Sequence, residues 1–382
     1  MKVRASERDV SITNKSLSEC SRSSTKSKMK DESSLLTTDN RQQISFNVKH
    51  STLNVNCVAT IGSFDGVHRG HQCLLSQVRQ IADERKLNAM AITFRTSPKK
   101  VLGGGDATQL TSSEERTALL HHFGMDEVAV LDFTPQMAAM TARDFMLQVL
   151  KEQLHVAVLV IGYDHRFGRG RSEGFDDYVS YGREMGIEVV RGEACLESGD
   201  PVSSTRIRHL LSVGDVDHAT RLLGYEYTLC GKVVSGYKEG RKMGFPTANI
   251  CPLEANKLIP ANGVYAVYVD IDNENENENC HPEGNFQLCF SPSGQRPKGS
   301  TFNFQFRKGM LNIGYRPTLN NGRERSIEVH ILDFEGDLYG KDITIKFAHR
   351  LREEQAFTNT EELTEQLLQD EKRVRELLAT EG

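Results

Sequence analysis

Short apolar segments alternate with helical segments through the first part of this chain, and no other feature limits the possible folds as strongly. The first apolar segment, 55–61, is followed by a glycine-containing turn and then by Leu74, Leu75, Val78 and Ile81 at helical spacing. Four further segments have the length and composition of buried strands: 89–94, 127–131, 156–161 and 187–190. Because strands and helices in this order build a parallel sheet, we predict a doubly wound α/β domain over residues 50–224.

The helices between these strands carry their own start signals. Ser112-x-x-Glu115 has the spacing of a capping box, in which each residue bonds to the backbone of the other. Further helices are predicted after Thr141 and over 177–184. Ligands of such a sheet bind at the carboxyl ends of its strands, so the loops that follow the strands are where a site is expected.

After residue 224 the pattern changes to closely spaced β-branched and aromatic segments without helices between them. These segments are 227–234, 263–271, 310–313, 326–332 and 343–347. Their density predicts a small antiparallel β-barrel within residues 225–382. The chain then ends in a predicted helix, which begins at a capping box, Thr358-x-x-Glu361, and carries an apolar stripe that we expect to cover the barrel.

Composition excludes several classes of protein. The 382 residues, 38% of them hydrophobic, suffice for two cores. A net charge of -5 without a long Lys/Arg block argues against a nucleic-acid partner, and no apolar run is long enough to cross a membrane. Eight cysteines without a C-x-x-C pair argue against a zinc site and favour free thiols in a cytoplasmic protein. The sequence does not indicate an oligomeric state.

Two polar segments are predicted to be disordered. Residues 1–45 are rich in Ser, Thr, Lys and Arg and read as a disordered tail. A transit peptide is the alternative, which the acidic residues Glu7, Asp9 and Glu19 disfavour. Residues 273–301 begin with alternating Asn and Glu and are predicted to form a disordered insertion within a hairpin.

The turn after the first strand contains a histidine pair. His68 and His71 are three residues apart in the first turn of the predicted helix, so their rings point the same way. Unpaired backbone N–H groups and the positive end of the helix dipole lie beside them, which favours phosphate. Gly66 and Gly70 would let the backbone approach a ligand. A metal half-site or a solvated helix face is the alternative.

Two later segments of the α/β domain also contain residues suited to contact a nucleotide or another anion. Ser204, Thr205 and Arg208 open a predicted helix and suit an anion, although an ordinary helix cap with a solvated arginine is the alternative. Asp164 follows a strand directly, where a ribose or adenine contact would be made, or it is part of a plain glycine-bounded loop.

The barrel contains a glycine-rich turn followed by polar residues. Gly236, Lys238, Gly240, Arg241 and Gly244 precede Thr247 and Asn249, a set that suits a nucleotide phosphate with its Mg²⁺. A turn-rich hairpin with incidental cations is the alternative. Glu328 and His330 share the face of a strand away from the core, and a carboxylate there can serve as the base for a primary alcohol.

These motifs, in this order, resemble one known family over about residues 55–350. They are F-D-G-V-H-R-G-H (64–71), G-Y-D-H-R-F-G (162–168), S-S-T-R-I-R (203–208), G-F-P-T-A-N (244–249) and N-I-G-Y-R-P-T (312–318). The family is the bacterial bifunctional riboflavin kinase/FMN adenylyltransferase, also called prokaryotic FAD synthetase. The resemblance implies a Rossmann-like nucleotidyltransferase domain that makes FAD from FMN, and then a β-barrel kinase domain that makes FMN from riboflavin. ATP and Mg²⁺ are implied at both sites.

The resemblance also implies a role for each matching residue. His68, His71 and Glu328 are implied to be catalytic, and Thr247 and Asn249 to hold the metal. The implied ATP-binding residues of the nucleotidyltransferase are Phe64, Asp65, Gly66, Gly70, Asp164, Ser204, Thr205 and Arg208. The implied ATP- or flavin-binding residues of the kinase are Gly236, Lys238, Gly240, Arg241, Gly244, Phe245, Pro246, Asn312 and Arg316.

The chain departs from the family at one position that bears on activity. Ser97 stands where the family usually has a histidine in a Pro-His-Pro segment, and Arg95, Lys99 or Lys100 would have to compensate. A kinase whose first domain is impaired or regulatory is therefore an alternative, as is a non-catalytic flavin-binding protein. A different nucleotidyltransferase substrate would explain the first domain but leaves the barrel unexplained.

Overall fold

The computed structural model describes residues 46–47, 56–104, 108–193, 196–197, 200–236, 239–271, 306–317 and 323–379. The predicted tail 1–45 and the predicted insertion 273–301 lie outside these ranges. Residues 44–382 form one compact unit.

The first half of this unit is built on a six-stranded sheet with the order β1-β4-β3-β2-β5-β6. Strands β2 to β6 run parallel, which confirms the predicted doubly wound sheet. The edge strand β1 was not predicted, and it pairs antiparallel with β4. The strands are β1 (Phe46–Asn47), β2 (Cys57–Ile61), β3 (Asn88–Phe94), β4 (Glu127–Leu131), β5 (Val156–Ile161) and β6 (Glu188–Arg191). A separate two-stranded hairpin is formed by β7 (Leu196–Glu197) and β8 (Asp200–Pro201).

Helices pack on both faces of this sheet because its strands are apolar on both sides. Along β2, Val58 enters a core with Leu75, whereas its neighbour Ala59 enters a second core with Val149. The helices are α1 (Arg69–Arg85), α2 (Pro98–Val101), α3 (Ser113–His122), α4 (Pro135–Ala139), α5 (Ala142–Phe145, continued by a π-helix over Met146–Lys151), α6 (Phe175–Met185), α7 (Ser204–Ser212) and α8 (Val216–Leu223).

The predicted capping box at the start of α3 is confirmed. The Ser112 hydroxyl accepts a hydrogen bond from Glu115 N at 3.0 Å, and the Glu115 carboxylate accepts one from Ser112 N at 2.8 Å. Two backbone N–H groups of the helix start are thereby satisfied, which fixes where α3 begins.

The second half forms a closed antiparallel barrel with the order β10-β13-β12-β11-β14-β9, as predicted. Its elements are β9 (Tyr227–Val234), α9 (Glu239–Lys242), β10 (Ala248–Pro252), β11 (Gly263–Ile271), β12 (Arg307–Pro317), β13 (Arg323–Ile331), β14 (Asp342–Arg352) and α10 (Thr360–Leu377). Strand β10 was not predicted, and β12 is longer than the predicted 310–313. Tyr265 and Phe347 are fully buried and meet edge to face with ring centroids 5.3 Å apart.

The last helix covers the barrel as predicted, but the predicted cap is wrong by one residue. Asn359 is the N-cap, since its side-chain oxygen accepts from Glu362 N at 2.8 Å. Thr358 lies one position outside the cap and donates its hydroxyl to Glu362. Val374 and Leu378 of the predicted stripe are buried against the barrel.

The sheet and the barrel are joined by a buried ion pair and a short stretch of backbone pairing. Lys257 lies in the connection between β10 and β11 and contacts the carboxylate of Glu115 on α3, with each side chain only 3% exposed. Nearby, Gln109 N donates to Asn256 O at 2.8 Å, and Leu258 N donates to Gln109 O at 2.9 Å.

The prediction of free thiols, made from composition, fails at one cysteine. Cys57 and Cys251 carry thiols as predicted, but Cys73 is in a disulfide, so the prediction of free thiols throughout is wrong. None of the helices in the described ranges combines the length and apolar composition needed to cross a membrane.

Candidate active sites

The loop between β2 and α1 has an unusual backbone that only a few residue types tolerate. Phe64, Gly66 and Val67 all have positive φ, at 46°, 80° and 30°. A side chain at Gly66 would also approach Leu110 Cδ1 to 2.8 Å. Gly66 is buried and does not line the cavity described below, and its positive φ allows this turn; its predicted contact with ATP stays a prediction.

The histidine pair lies where the sequence places it. His68 caps α1, and its Nδ1 accepts a hydrogen bond from His71 N at 3.4 Å. The two rings are stacked, with centroids 3.7 Å apart and an interplanar angle of 16°. Burial lowers the pKa of His68 to about 4. Burial, together with the nearby His68, His165 and Arg116, lowers the pKa of His71 well below its usual value. Both rings are therefore neutral at pH 7 and can serve as hydrogen-bonding groups.

Three of the predicted ATP-binding residues hold one another in place. One oxygen of Asp65 accepts from the backbone N–H groups of Leu110 and Thr111, at 2.9 and 3.1 Å. The other oxygen pairs with Arg208 at 2.6 Å. The Ser204 hydroxyl donates to the backbone carbonyl of Asp65 at 2.8 Å. Asp65 therefore contacts Arg208, the backbone of residues 110–111 and, through its carbonyl, the start of α7; its predicted contact with ATP stays a prediction.

These groups surround a cavity of about 730 Å³ at the carboxyl ends of β2, β3 and β5. That position agrees with the general placement of ligands in open parallel sheets. Ser97 and Lys99 reach this cavity, whereas Arg95 points to Asp132 and does not. The predicted site residues that line it are Phe64, Asp65, His68, Gly70, His71, Asp164, Ser204, Thr205 and Arg208.

Three buried nitrogen atoms in the wall of this cavity have no hydrogen-bond partner within the described part of the chain. They are His71 Nδ1, Arg116 Nε and His165 Nε2. Buried polar atoms are normally paired, so three unpartnered nitrogens on residues that line one cavity indicate that a polar ligand completes the site. Sequence reasoning missed Arg116, because an arginine on an amphipathic helix normally lies on the solvated face.

Burial of the histidines makes the stability of the protein depend on pH. Burial lowers the pKa of His165 to about 4, from 6.5. Between these values the unfolded chain binds a proton that the folded chain does not, so the free energy of unfolding falls as the pH drops through that interval. We expect calorimetry to give a lower Tm at about pH 5 than at about pH 7.5, and a smaller difference for His165→Phe. His209→Asn, at an exposed position, should keep the full difference. Equal differences in wild type and His165→Phe would contradict the prediction.

The barrel brings the predicted kinase residues together around Glu328. Thr247 Oγ1 donates to Glu328 Oε2 at 3.2 Å. Asn249 lies directly opposite Glu328 in the pairing of β10 with β13, and Asn312 lies opposite it on β12. Directly paired residues share a face of the sheet, so both amides flank the carboxylate. The neighbours of Glu328 along β13, Ile327 and Val329, are buried in the core, which confirms the predicted orientation of Glu328.

The remaining predicted kinase residues support this cluster or lie around it. Phe245 is buried and meets the ring of His330 edge to face. The carbonyl of Pro246 lies 2.8 Å from His330 Nδ1. Arg241 is exposed on α9, and Arg316 lies on β12 opposite Glu324. Lys238 lies outside the described residues.

Two glycines before the cluster are required by close packing. A side-chain carbon at Gly236 would lie 2.0 Å from Asn249 Nδ2. One at Gly240 would lie 2.3 Å from the carbonyl of Phe245 and 3.4 Å from Thr247 Oγ1. The glycine-rich turn thus sets the positions of the two predicted metal ligands.

This packing gives a testable expectation for Gly236→Ala. The added methyl group must displace the Asn249 amide, so we expect kcat/KM for phosphorylation at the barrel site to fall by roughly 10²-fold. Gly174→Ala is a matched control, because the nearest atom to its added carbon is 3.9 Å away. Steady-state kinetics of the two variants checks the prediction, and a Gly236→Ala enzyme with wild-type kinetics would contradict it.

The donor atoms of the barrel cluster fit a magnesium ion. Thr247 and Asn249 each offer an oxygen, and Mg²⁺ prefers oxygen ligands from one or two protein groups together with phosphate oxygens. Thr247 donates to Glu328, and Asn249 lies opposite Glu328 in the pairing of β10 with β13, so both residues lie beside the same carboxylate.

Comparison with known proteins assigns both halves of the chain to protein families. Residues 50–206 match the family described as FAD synthetase, and residues 223–378 match the family described as riboflavin kinase. A solved structure from Streptococcus pneumoniae, described as a macrolide-efflux protein, superimposes with a TM-score of 0.71 at 30% identity. The superposition covers 84% of this chain and 94% of the Streptococcus pneumoniae chain.

Relatives with both activities in their names align along nearly their whole length. The bifunctional riboflavin kinase/FMN adenylyltransferase of Escherichia coli K12 is 35% identical, over 84% of this chain and 92% of that protein. The protein of the same name from Listeria monocytogenes is 34% identical, over 85% and 94%. With both halves matched in order on one polypeptide, the chain belongs to the family of bifunctional riboflavin kinase/FMN adenylyltransferases.

Proposed function

We propose that this protein makes FMN from riboflavin at the barrel site and FAD from FMN at the α/β site, with ATP as the donor in both reactions. The observation that carries this proposal is the presence of two separate polar clusters, around Glu328 and around His71, each inside the matching family region. The protein is proposed to act in the cytoplasm, as the sequence predicts.

At the α/β site the proposed reaction is transfer of AMP. An oxygen of the FMN phosphate attacks the α-phosphorus of ATP, a new P–O bond forms, and the bond to pyrophosphate breaks. This chemistry needs no protein nucleophile, only alignment and stabilisation of charge. The neutral rings of His68 and His71 donate hydrogen bonds to phosphate oxygens. Arg208, held by Asp65, and the start of α7 contact the nucleotide from the other side of the cavity.

At the barrel site the proposed reaction is transfer of the terminal phosphoryl group of ATP to the 5'-hydroxyl of riboflavin. Glu328 accepts the hydroxyl proton as the oxygen attacks the γ-phosphorus, and ADP leaves. Thr247 and Asn249 would hold Mg²⁺, which when bound neutralises charge on the phosphates. The flanking amides of Asn249 and Asn312 keep the Glu328 carboxylate turned toward the substrate.

One experiment separates this proposal from its alternatives. Purified protein is incubated with riboflavin, ATP and Mg²⁺, and the flavins are separated by chromatography over time. We expect FMN to rise first and FAD to follow. If FMN accumulates and added FMN is never converted, Ser97 has left a kinase with an inactive first domain. If riboflavin binds but no FMN forms, the protein is a flavin carrier and the proposal fails.

A further inference from the structure

Arg116 on α3 is a buried cation that makes no ion pair in the described part of the chain, although the charges of Asp65, Glu114 and Glu115 act on it from a greater distance. Its residue is 3% exposed. Its Nη2 donates to the backbone carbonyl of Phe94 at 2.6 Å, and its Nε is buried without a partner. A guanidinium group stays protonated in proteins, and a buried charge is costly unless an opposite charge or several hydrogen bonds compensate it.

Three other cations in the described ranges contact carboxylates directly. Lys257 contacts Glu115, and Arg352 pairs with Asp370 at 2.7 Å. Arg208, which lines the same cavity as Arg116, pairs with Asp65. Arg116 therefore differs from them: its side chain is hydrogen-bonded to a neutral carbonyl and not to a carboxylate, while Asp65 and Glu115 are engaged by Arg208 and Lys257.

The position of Arg116 indicates where an anion binds. The side chain lines the 730 Å³ cavity together with His71, and it is close enough that its charge contributes to the lowered pKa of that ring. Because His68 and His71 are neutral, they cannot balance the charge of a polyphosphate. Lys99 is exposed at the cavity edge, which leaves Arg116 as the buried positive charge that faces the interior.

We propose that Arg116 binds the polyphosphate chain of ATP in the α/β cavity and stabilises pyrophosphate as it leaves. This inference rests on the proposed adenylyl transfer. As the P–O bond to the α-phosphorus breaks, its electron pair stays on pyrophosphate, whose negative charge increases. A fixed cation at that point stabilises the transition state more than bound ATP, so its removal lowers kcat as well as raising KM.

The test compares Arg116→Met and Arg116→Lys with wild type, using supplied FMN and ATP. Methionine fills a similar volume without charge, and we expect it to lower kcat/KM for FAD formation by about 10²-fold or more. Lysine keeps the charge and should recover part of kcat, which a merely structural role for Arg116 would not explain. Riboflavin phosphorylation by the same preparations reports folding and should not change. Arg85→Met, at an exposed arginine paired with Glu188, should retain both activities.

Binding of magnesium pyrophosphate tests the inference without turnover. Titration calorimetry should show binding to wild type and a loss of about tenfold or more in affinity for Arg116→Met. The ¹⁵N resonance of the Arg116 Nε–H group in wild type should also shift on addition of pyrophosphate, and this measurement does not depend on the variant folding. An unshifted resonance, or an Arg116→Met protein with unchanged kcat and pyrophosphate affinity, would overturn the inference. If the wild-type protein binds pyrophosphate through Arg116 yet makes no FAD, the proposed adenylyl transfer is wrong, whereas the proposed anion site at Arg116 is supported.

Discussion

Replacing Glu328 with glutamine should abolish phosphorylation of riboflavin and leave the conversion of supplied FMN to FAD intact. Glutamine has the size and shape of glutamate and can still accept the hydrogen bond from Thr247, but it cannot take up the proton of the attacking hydroxyl group. A positioned general base contributes roughly 10² to 10⁴ in rate, so we expect kcat to fall by that factor with little change in the KM for ATP.

Both reactions should be measured on one preparation, with flavins separated by chromatography. Glu335→Gln is the matched control, because that carboxylate is exposed in the turn after β13 and lies outside the cluster. A Glu328→Gln protein that phosphorylates riboflavin at the wild-type rate would show that Glu328 is not the base.

The complementary expectation is that His71→Ala stops FAD formation from supplied FMN and leaves riboflavin phosphorylation unchanged. The substitution removes a neutral donor that is preorganised by its stacking on His68 and held in a water-excluded wall of the cavity. Loss of one such donor at a developing negative charge typically costs about 10²- to 10³-fold in kcat.

The control for this variant is His122→Ala, which removes a half-buried histidine from α3 that does not line the cavity. Steady-state assays of both reactions, with melting temperatures to confirm folding, complete the comparison. A folded His71→Ala or Glu328→Gln protein that loses both activities would contradict the assignment of one reaction to each half.

The fold could be predicted wherever a pattern repeats along the chain. The period of the apolar residues distinguishes buried parallel strands from helices, and five of the six sheet strands follow from it. Strand β1 has only two residues, too few for a period to be seen. Strand β10 was missed because residues 248–252 are only partly buried, so they lack the apolar alternation of the other barrel strands.

The motifs of the site could be predicted from the sequence, but the contacts between residues far apart along the chain could not. The helical spacing of His68 and His71 is enough to bring their rings together. By contrast, Asp65 and Arg208 were each expected to touch the nucleotide, and nothing local indicates that they pair across 143 positions. Arg116 could not be found from the sequence either: its significance lies in its burial in the cavity wall and in its unpartnered Nε, and only the packed structure reveals both.

The contacts that join the sheet to the barrel limit how the two halves can be recombined with those of relatives. Residues 108–111 make contacts in both halves of the protein. Their backbone N–H groups donate to Asp65, and Gln109 exchanges backbone hydrogen bonds with residues 256 and 258. Separating the halves would leave the Glu115 carboxylate and the Lys257 ammonium group without each other. A chimera built from two relatives should therefore take residues 108–115 and 256–258 from the same parent, even though they belong to different catalytic modules.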